Sequence, residues 1–297
     1  MHGATAMNPP ADLSLRDALA EGERVLAAAG VASPRFDAEW LAAHVLGVPR
    51  RGLLLHPRLD TAETKALREL IGRRAAREPL QHLLGTAVLG PVEVAVGPGV
   101  FTPRPETELL LEWGSAAIKD VRSPLVVDLC TGSGALALAV AAVRPDAVVH
   151  AVEIDPDALA WARRNVDAHG GRVVLHAADV REPTVLPELA GRVDLVLCNP
   201  PYVPEATPVP PEVRTGDPAV AVFAGPDGLA LIPAVAARAG ALLRPGGAFA
   251  VEHDDTHADA VPALLRGRPE LVDVAEHVDL SGRPRYATAR RRHEDGP

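Results

Sequence analysis

The stretch Leu125-Val126-Val127-Asp128-Leu129-Cys130-Thr131-Gly132-Ser133-Gly134 decides the fold. It opens as an apolar run of strand length and closes on small residues that turn tightly and let backbone approach a ligand. An apolar helix over Ala135–Val143 follows. A strand that passes through such a turn into a helix begins a βαβ unit, and βαβ units build parallel sheets. The pattern continues downstream. Strands are expected at Leu125–Leu129, Val148–Ile154, Val173–Ala177, Val193–Cys198, Ala248–Glu252, Leu271–Val278 and Arg285–Ala289. Only the short turn Ser281-Gly282 separates the last two, so the final strand should insert antiparallel. The expected fold is α/β, with a doubly wound, seven-stranded, mostly parallel sheet.

Upstream the texture is helical. Ser14 with Asp17 reads as a capping pair, with Leu15, Leu19, Val25 and Leu26 as the apolar face and Gly30 as the stop. Ser33-Pro34 starts a second helix that Gly47 closes, and Thr61 opens a third carrying Leu67, Leu70 and Ile71. Residues 1–80 are therefore expected to form a small all-α domain, with its first ten residues disordered. Arg73, Arg74 and Arg77 read as a solvated basic end. Alternating valines between Thr86 and Val100, broken by Gly90-Pro91 and Gly97-Pro98, predict a β-hairpin linker within residues 81–105. The α/β domain then occupies residues 106–297.

Composition narrows the class. A chain of 297 residues suits two domains, and a net charge of −9 argues against broad, stable nucleic-acid binding. Cys130 and Cys198 form no Cys-x-x-Cys pair, so neither a disulfide framework nor a metal site is indicated. Met1 to Pro10 lacks the charged and apolar regions of a signal peptide, and no apolar run is long enough to span a bilayer. A cytoplasmic monomer without membrane contact is expected.

The chemistry gathers at strand ends, where open α/β sheets bind ligands. Glu153 closes the second strand with Ile154 beside it, and Asp179 and Val180 follow the third. An acid at Glu153 can accept both ribose hydroxyls of a nucleoside. Asn199-Pro200-Pro201-Tyr202 follows the fourth strand, its prolines making a stiff corner with free carbonyls. Neither a Gly-x-Gly-x-x-Gly run nor a Walker lysine is present, so the turn suits S-adenosyl-L-methionine, which has no phosphates to cradle.

On these motifs the chain resembles the class I methyltransferases. Asn199-Pro200-Pro201-Tyr202 is similar to the motif of enzymes that methylate nitrogens conjugated to a π-system. Pro103-Arg104-Pro105-Glu106-Thr107-Glu108 resembles the HemK/PrmC family, and the likeness extends to Arg35–Glu39, Pro79–Gly85, Gly225–Leu229, Leu243–Gly247 and Asp279–Arg283. The resemblance implies transfer of a methyl group to the glutamine of the Gly-Gly-Gln motif in peptide chain release factors, leaving S-adenosyl-L-homocysteine. It implies cofactor contacts at Asp128, Cys130, Thr131, Gly132, Ser133, Gly134, Glu153, Ile154, Asp179, Val180 and Asn199. It places substrate binding and catalysis at Asn199, Pro200, Pro201 and Tyr202. The helical domain would grip the protein substrate. Cys130 departs from the family's glycine, Glu153 from its commoner aspartate, and Val180 from an aromatic. The rivals are a ribosomal-protein glutamine methyltransferase, which typically has Pro-Arg-Ser-Pro at the upstream motif, and a DNA or RNA amino-methyltransferase. A non-catalytic cofactor-binding protein is disfavoured by the intact Asn199-to-Tyr202 set.

Overall fold

The computed structural model describes residues 13–293, so the disorder expected of the first ten residues falls outside the described residues. The chain divides into two compact units, one ending at Gly85 and one beginning at Thr86.

In the first unit, β1 (Leu13–Ser14) leads into α1 (Leu15–Ala28), which Ser14 caps by accepting from the Asp17 N–H at 3.1 Å. Then come α2 (Pro34–Leu46), β2 (Arg58–Leu59), α3 (Thr61–Ala75) and the short α4 (Leu80–Leu84). Asp60 and Glu63 form the capping box of α3. Leu26, Leu41, Leu59, Leu67 and Ile71 build the core, whereas Val25, expected on the buried face, is exposed. Of the three arginines only Arg73 is solvated, exposed and paired with Glu78 at 2.6 Å. Arg74 is buried and pairs with buried Asp37 at 2.7 Å, and Arg77 donates to the Ala29 and Gly30 carbonyls. Both side chains tie α3 and the residues after it to other elements of the unit, a use that charge alone does not reveal.

The second unit begins with the hairpin β3 (Thr86–Leu89) and β4 (Val92–Ala95), then α5 (Glu108–Ala117). Val92 and Val94 of the hairpin pack into the same core as the sheet, while Val88 is exposed. The alternation continues as β5 (Leu125–Leu129), α6 (Ala135–Val143), β6 (Val148–Glu153), α7 (Pro156–Ala168), β7 (Val173–Ala177) and β8 (Val193–Cys198). It ends with α8 (Pro211–Gly216), α9 (Ala219–Val222), α10 (Ile232–Leu242), β9 (Leu243–Glu252), α11 (Ala260–Arg266), β10 (Leu271–Val278) and β11 (Pro284–Arg291). The sheet has seven strands in the order β10-β11-β9-β8-β5-β6-β7. β11 runs antiparallel to both neighbours, while β9, β8, β5, β6 and β7 pair in parallel. The antiparallel insertion and the mostly parallel, doubly wound sheet are as expected.

β5 advances to β6 and β7 on one side and the chain returns to β8 on the other. The strand order therefore reverses between β5 and β8, and a crevice opens at their carboxyl ends. Several strand ends differ: β6 stops at Glu153 rather than Ile154, and β11 spans Pro284–Arg291 rather than Arg285–Ala289. β9 starts at Leu243, five residues before the expected Ala248, because Leu243 already pairs with Val193. The proline-rich stretch after Tyr202 contains α8 and is not wholly irregular.

Candidate active site

A cavity of about 550 Å³ lies over the β5/β8 reversal. Asp128, Cys130, Thr131, Gly132 and Ser133 line it from the β5 turn, Glu153 and Ile154 from β6, Asp179 and Val180 from β7. Asn199, Pro200, Pro201 and Tyr202 line it from β8. Gly134 stands behind this wall at the start of α6, with φ +81°.

The β5 turn is built on left-handed backbone. Gly132 has φ +57° and Cys130 has φ +61°. A β-carbon at Cys130 thus sits in a conformation that favours glycine, and its thiol also lines the cavity. Cys130 therefore carries backbone strain and also lines the pocket. The turn is tied down by Thr131, whose hydroxyl donates to Asp128 at 2.6 Å, and by Asn165 of α7. The Asn165 amide donates to the Ser133 carbonyl at 2.9 Å and bonds Ala95 through both its atoms. No motif in the sequence marks Asn165.

Glu153 is buried, and its carboxylate accepts the N–H groups of Gly132 at 2.8 Å and of Ile154 and Asp155 at 2.9 Å. A carboxylate has about four acceptor positions, so about one remains for a ligand, fewer than a hydroxyl pair requires. Asp179 is likewise engaged, paired with Arg181 at 2.6 Å. Ile154 is 51% exposed, an apolar side chain held open beside the acid.

The β8 end of the cavity contains a hydrogen-bonded chain. The Asn199 Nδ2 donates to the Thr107 hydroxyl at 3.0 Å, and that hydroxyl donates to Glu252 Oε2 at 2.9 Å. The Tyr202 hydroxyl donates to Glu252 Oε1 at 2.9 Å. Glu252 ends β9 and is fully buried, and Thr107 stands just before α5. Glu252 stands at an expected strand end and Thr107 within the quoted upstream motif, but their meeting was not legible in the sequence. The loop after Tyr202 is also held. Val203 exchanges backbone bonds with Val222 and Ala224, and buried Asp217 pairs with Arg104 and accepts from the Thr102 N–H.

Burial raises the carboxyls of Asp128 and Glu252 to about 7. For Glu252 the Thr107 and Tyr202 bonds and Arg285 oppose the shift, while Glu106 adds to it. A carboxyl whose pKa is raised by folding stabilises the fold when protonated. That contribution is complete below pH 4.5 and is lost as pH rises through about 7. Glu252→Leu removes it. Relative to wild type, the variant's unfolding free energy should therefore gain up to about 3 kcal/mol between pH 5 and pH 8. Taking this difference cancels the opposing contributions of His150, His176 and His277, whose pKa values burial lowers. Urea titrations at both pH values measure it, and a constant difference contradicts the assignment.

The two cysteines behave differently. Cys198 ends β8 opposite Leu129 and is fully buried in the core beside α10, its thiol pushed up by burial. It does not line the cavity, contrary to the symmetry of adjacent strand ends, because its side chain points into the core. An alkylating reagent should modify Cys130 alone, more slowly with cofactor bound. Mass spectrometry of labelled peptides checks both statements, and equal labelling of Cys130 with and without cofactor counts against its place in the site.

The cavity's charges define what it can hold. Its two lining arginines, Arg104 and Arg181, are each paired to an aspartate, whereas Asp128, Glu153 and Asp155 add acidic groups. A phosphate would find no uncommitted cation among these residues. A nucleoside carrying a positive sulfonium fits.

Comparison with known proteins agrees. Residues 17–85 match the PrmC N-terminal domain and residues 92–209 the Methyltransferase small domain. A "Release factor glutamine methyltransferase" of Mycolicibacterium smegmatis is 52% identical over 93% of this chain and 98% of its own. Its namesake in Streptomyces coelicolor is 49% identical over 92% and 96%. Among solved structures, a T. thermophilus 16S rRNA methyltransferase in complex with AdoMet and guanosine superposes with a TM-score of 0.50 at 24% identity. It covers 70% of this chain and 50% of that one. The hMettl16 catalytic domain gives 0.53 at 17% identity, over 76% and 83%. These two share the fold, which is that of a class I methyltransferase. Identity near one half, sustained over almost all of both chains, places this chain in the release factor glutamine methyltransferase family.

Proposed function

We propose that this protein transfers a methyl group from S-adenosyl-L-methionine to the side-chain amide nitrogen, N5, of the glutamine in the Gly-Gly-Gln motif of a peptide chain release factor. The observation that carries this reading is the pairing of an acidic, phosphate-averse cavity with an Asn199-Pro200-Pro201-Tyr202 corner at the β5/β8 reversal. The family's name supplies the substrate.

Glu153 and Ile154 hold the nucleoside, the acid by a hydroxyl and the isoleucine by its apolar face, and Val180 packs on the same side. The turn from Cys130 to Ser133 holds the amino-acid end. Bound there, the cofactor supplies an electrophilic methyl group on a sulfonium. An amide nitrogen is a poor nucleophile because its lone pair is delocalised, so the protein's contribution is orientation. Asn199 Oδ1 and the Pro200 carbonyl each accept one N–H of the glutamine amide. The nitrogen is then aimed at the methyl carbon, and both acceptors stabilise the positive charge that grows on nitrogen during transfer. Transfer would form the carbon–nitrogen bond as the carbon–sulfur bond breaks, leaving its electron pair on sulfur. The amide proton leaves to water, and S-adenosyl-L-homocysteine is released. The two prolines fix the carbonyl's direction.

The test is transfer from labelled cofactor to a release factor, its Gly-Gly-Gln variant with the glutamine replaced, a ribosomal protein and DNA. Label on the intact release factor alone is the expected result. Label on the glutamine variant, or on DNA, overturns the proposal.

A further inference from the structure

The amide of Asn199 can face its pocket in either of two ways, and only one of them serves an acceptor role. If the oxygen points to substrate it accepts an N–H; if the NH₂ does, it repels one. Nothing in asparagine itself chooses. The choice follows from its surroundings, by counting protons around Thr107 and Glu252.

With Glu252 ionised, its state above about pH 7, the one proton of the Thr107 hydroxyl is given to Glu252 Oε2 at 2.9 Å. Towards Asn199 that hydroxyl can then only accept, so the group facing it at 3.0 Å is the Asn199 NH₂. Asn199 Oδ1 is left as the acceptor available to the cavity that Asn199 lines. Glu252 takes a second proton, from the Tyr202 hydroxyl at 2.9 Å, on its other oxygen. One buried carboxylate at the end of β9 therefore sets the polarity at both ends of Asn199-Pro200-Pro201-Tyr202. Thr107 and Glu252 line up behind Asn199 at sequence separations of 92 and 145 residues along the chain of bonds.

We propose that Thr107 and Glu252 are positioning residues for methyl transfer. They act as one unit that holds the Asn199 oxygen toward the substrate amide. The inference rests on the proposed glutamine substrate and assigns a function to residues outside the Asn-Pro-Pro-Tyr corner. Loss of either member should lower kcat and spare cofactor binding. In Thr107→Val the shape is kept but Asn199 loses the partner that orients it. In Glu252→Leu the Thr107 hydroxyl has no carboxylate to serve, and it turns its proton to Asn199 Oδ1, reversing the amide. Thr107→Ser keeps the hydroxyl and should restore the rate.

The experiment measures kcat and KM on a release factor with labelled cofactor for wild type, Thr107→Val, Thr107→Ser, Glu252→Leu and the Thr107→Val/Glu252→Leu double variant. Cofactor Kd by calorimetry and the thermal midpoint are measured alongside. Each single loss is expected to lower kcat by about a hundredfold, the scale of one preorganised polar partner, with cofactor Kd unchanged. The double variant should be no worse than the poorer single one, because the unit is already broken. Thr107→Ser should lie near wild type. Wild-type kcat in Thr107→Val, failure of serine to rescue, losses that multiply in the double variant, or losses that follow cofactor Kd and thermal midpoint each overturn the proposal. A wild-type enzyme that labels no release factor is a different result: it refutes the substrate reading first, and this inference with it.

Discussion

Asn199→Ala lowers turnover on a release factor by about a thousandfold or more while cofactor affinity stays near that of wild type. The size follows from what the side chain does. A preorganised hydrogen-bond partner aimed at developing charge is worth about 3–4 kcal/mol, a factor of about 10²–10³. In the proposed mechanism Asn199 supplies that partner and also places the nitrogen within in-line reach of the methyl carbon, an orientation effect that multiplies the loss. Alanine removes the acceptor and leaves the Thr107 hydroxyl and Glu252 intact. The groups proposed to hold the cofactor, Glu153 and the turn from Cys130 to Ser133, are untouched. Single-turnover transfer from labelled cofactor reads the rate, and calorimetry reads the affinity. Near-normal transfer would remove Asn199 from the mechanism.

Gly228→Ala should damage stability and turnover together. Gly228 has φ +75°, which a β-carbon disfavours by about 1 kcal/mol. The larger obstacle is space. A β-carbon there would stand 2.3 Å from the Tyr202 carbonyl oxygen, 2.9 Å from His257 Cε1 and 3.0 Å from Pro204 Cδ. The oxygen belongs to backbone and has no rotamer to escape into. Overpacking adds about 1–3 kcal/mol, for a total loss near 3 kcal/mol. Because the group displaced is the Tyr202 peptide, turnover should fall by at least about tenfold even where the variant is fully folded. Gly282→Ala is the control. Its φ is +81°, yet nothing lies within 4 Å of the new carbon, so it should cost only the backbone term and leave turnover unchanged. Chemical denaturation and steady-state kinetics on both variants separate the two effects. Equal losses in the pair would refute the steric account.

Gly228 also shows why part of the site resists sequence reading. It stands in Gly225-Pro226-Asp227-Gly228-Leu229, a motif recognisable by resemblance, yet its physical reason is the Tyr202 carbonyl, a contact from a distant part of the chain. Arg74 teaches the same lesson. Beside Arg73 and Arg77 it looked like a solvated charge, and it is a buried partner of Asp37. Cys198 ends the strand beside the one that leads to Cys130, but side-chain direction at the end of β8 sends it into the core. Each error has one cause: charge, spacing and strand order state where a residue stands along an element, not what faces it.

The sequence by itself determined the elements and the place of the chemistry. Apolar runs of strand length alternating with helical patterns required a parallel sheet, and the small-residue turn after β5 and the proline corner after β8 marked two strand ends as special. Those are local signals, carried by hydrophobic period and by backbone restrictions within a few residues. Only the tertiary structure decided how the site is wired. It brought Thr107 and Glu252 behind Asn199, spent three acceptor positions of Glu153 on backbone amides, and set Asn165 under the cofactor turn. The partners in such bonds lie as far as 145 residues apart. Their meeting depends on sheet order and side-chain direction, which no short window of sequence contains.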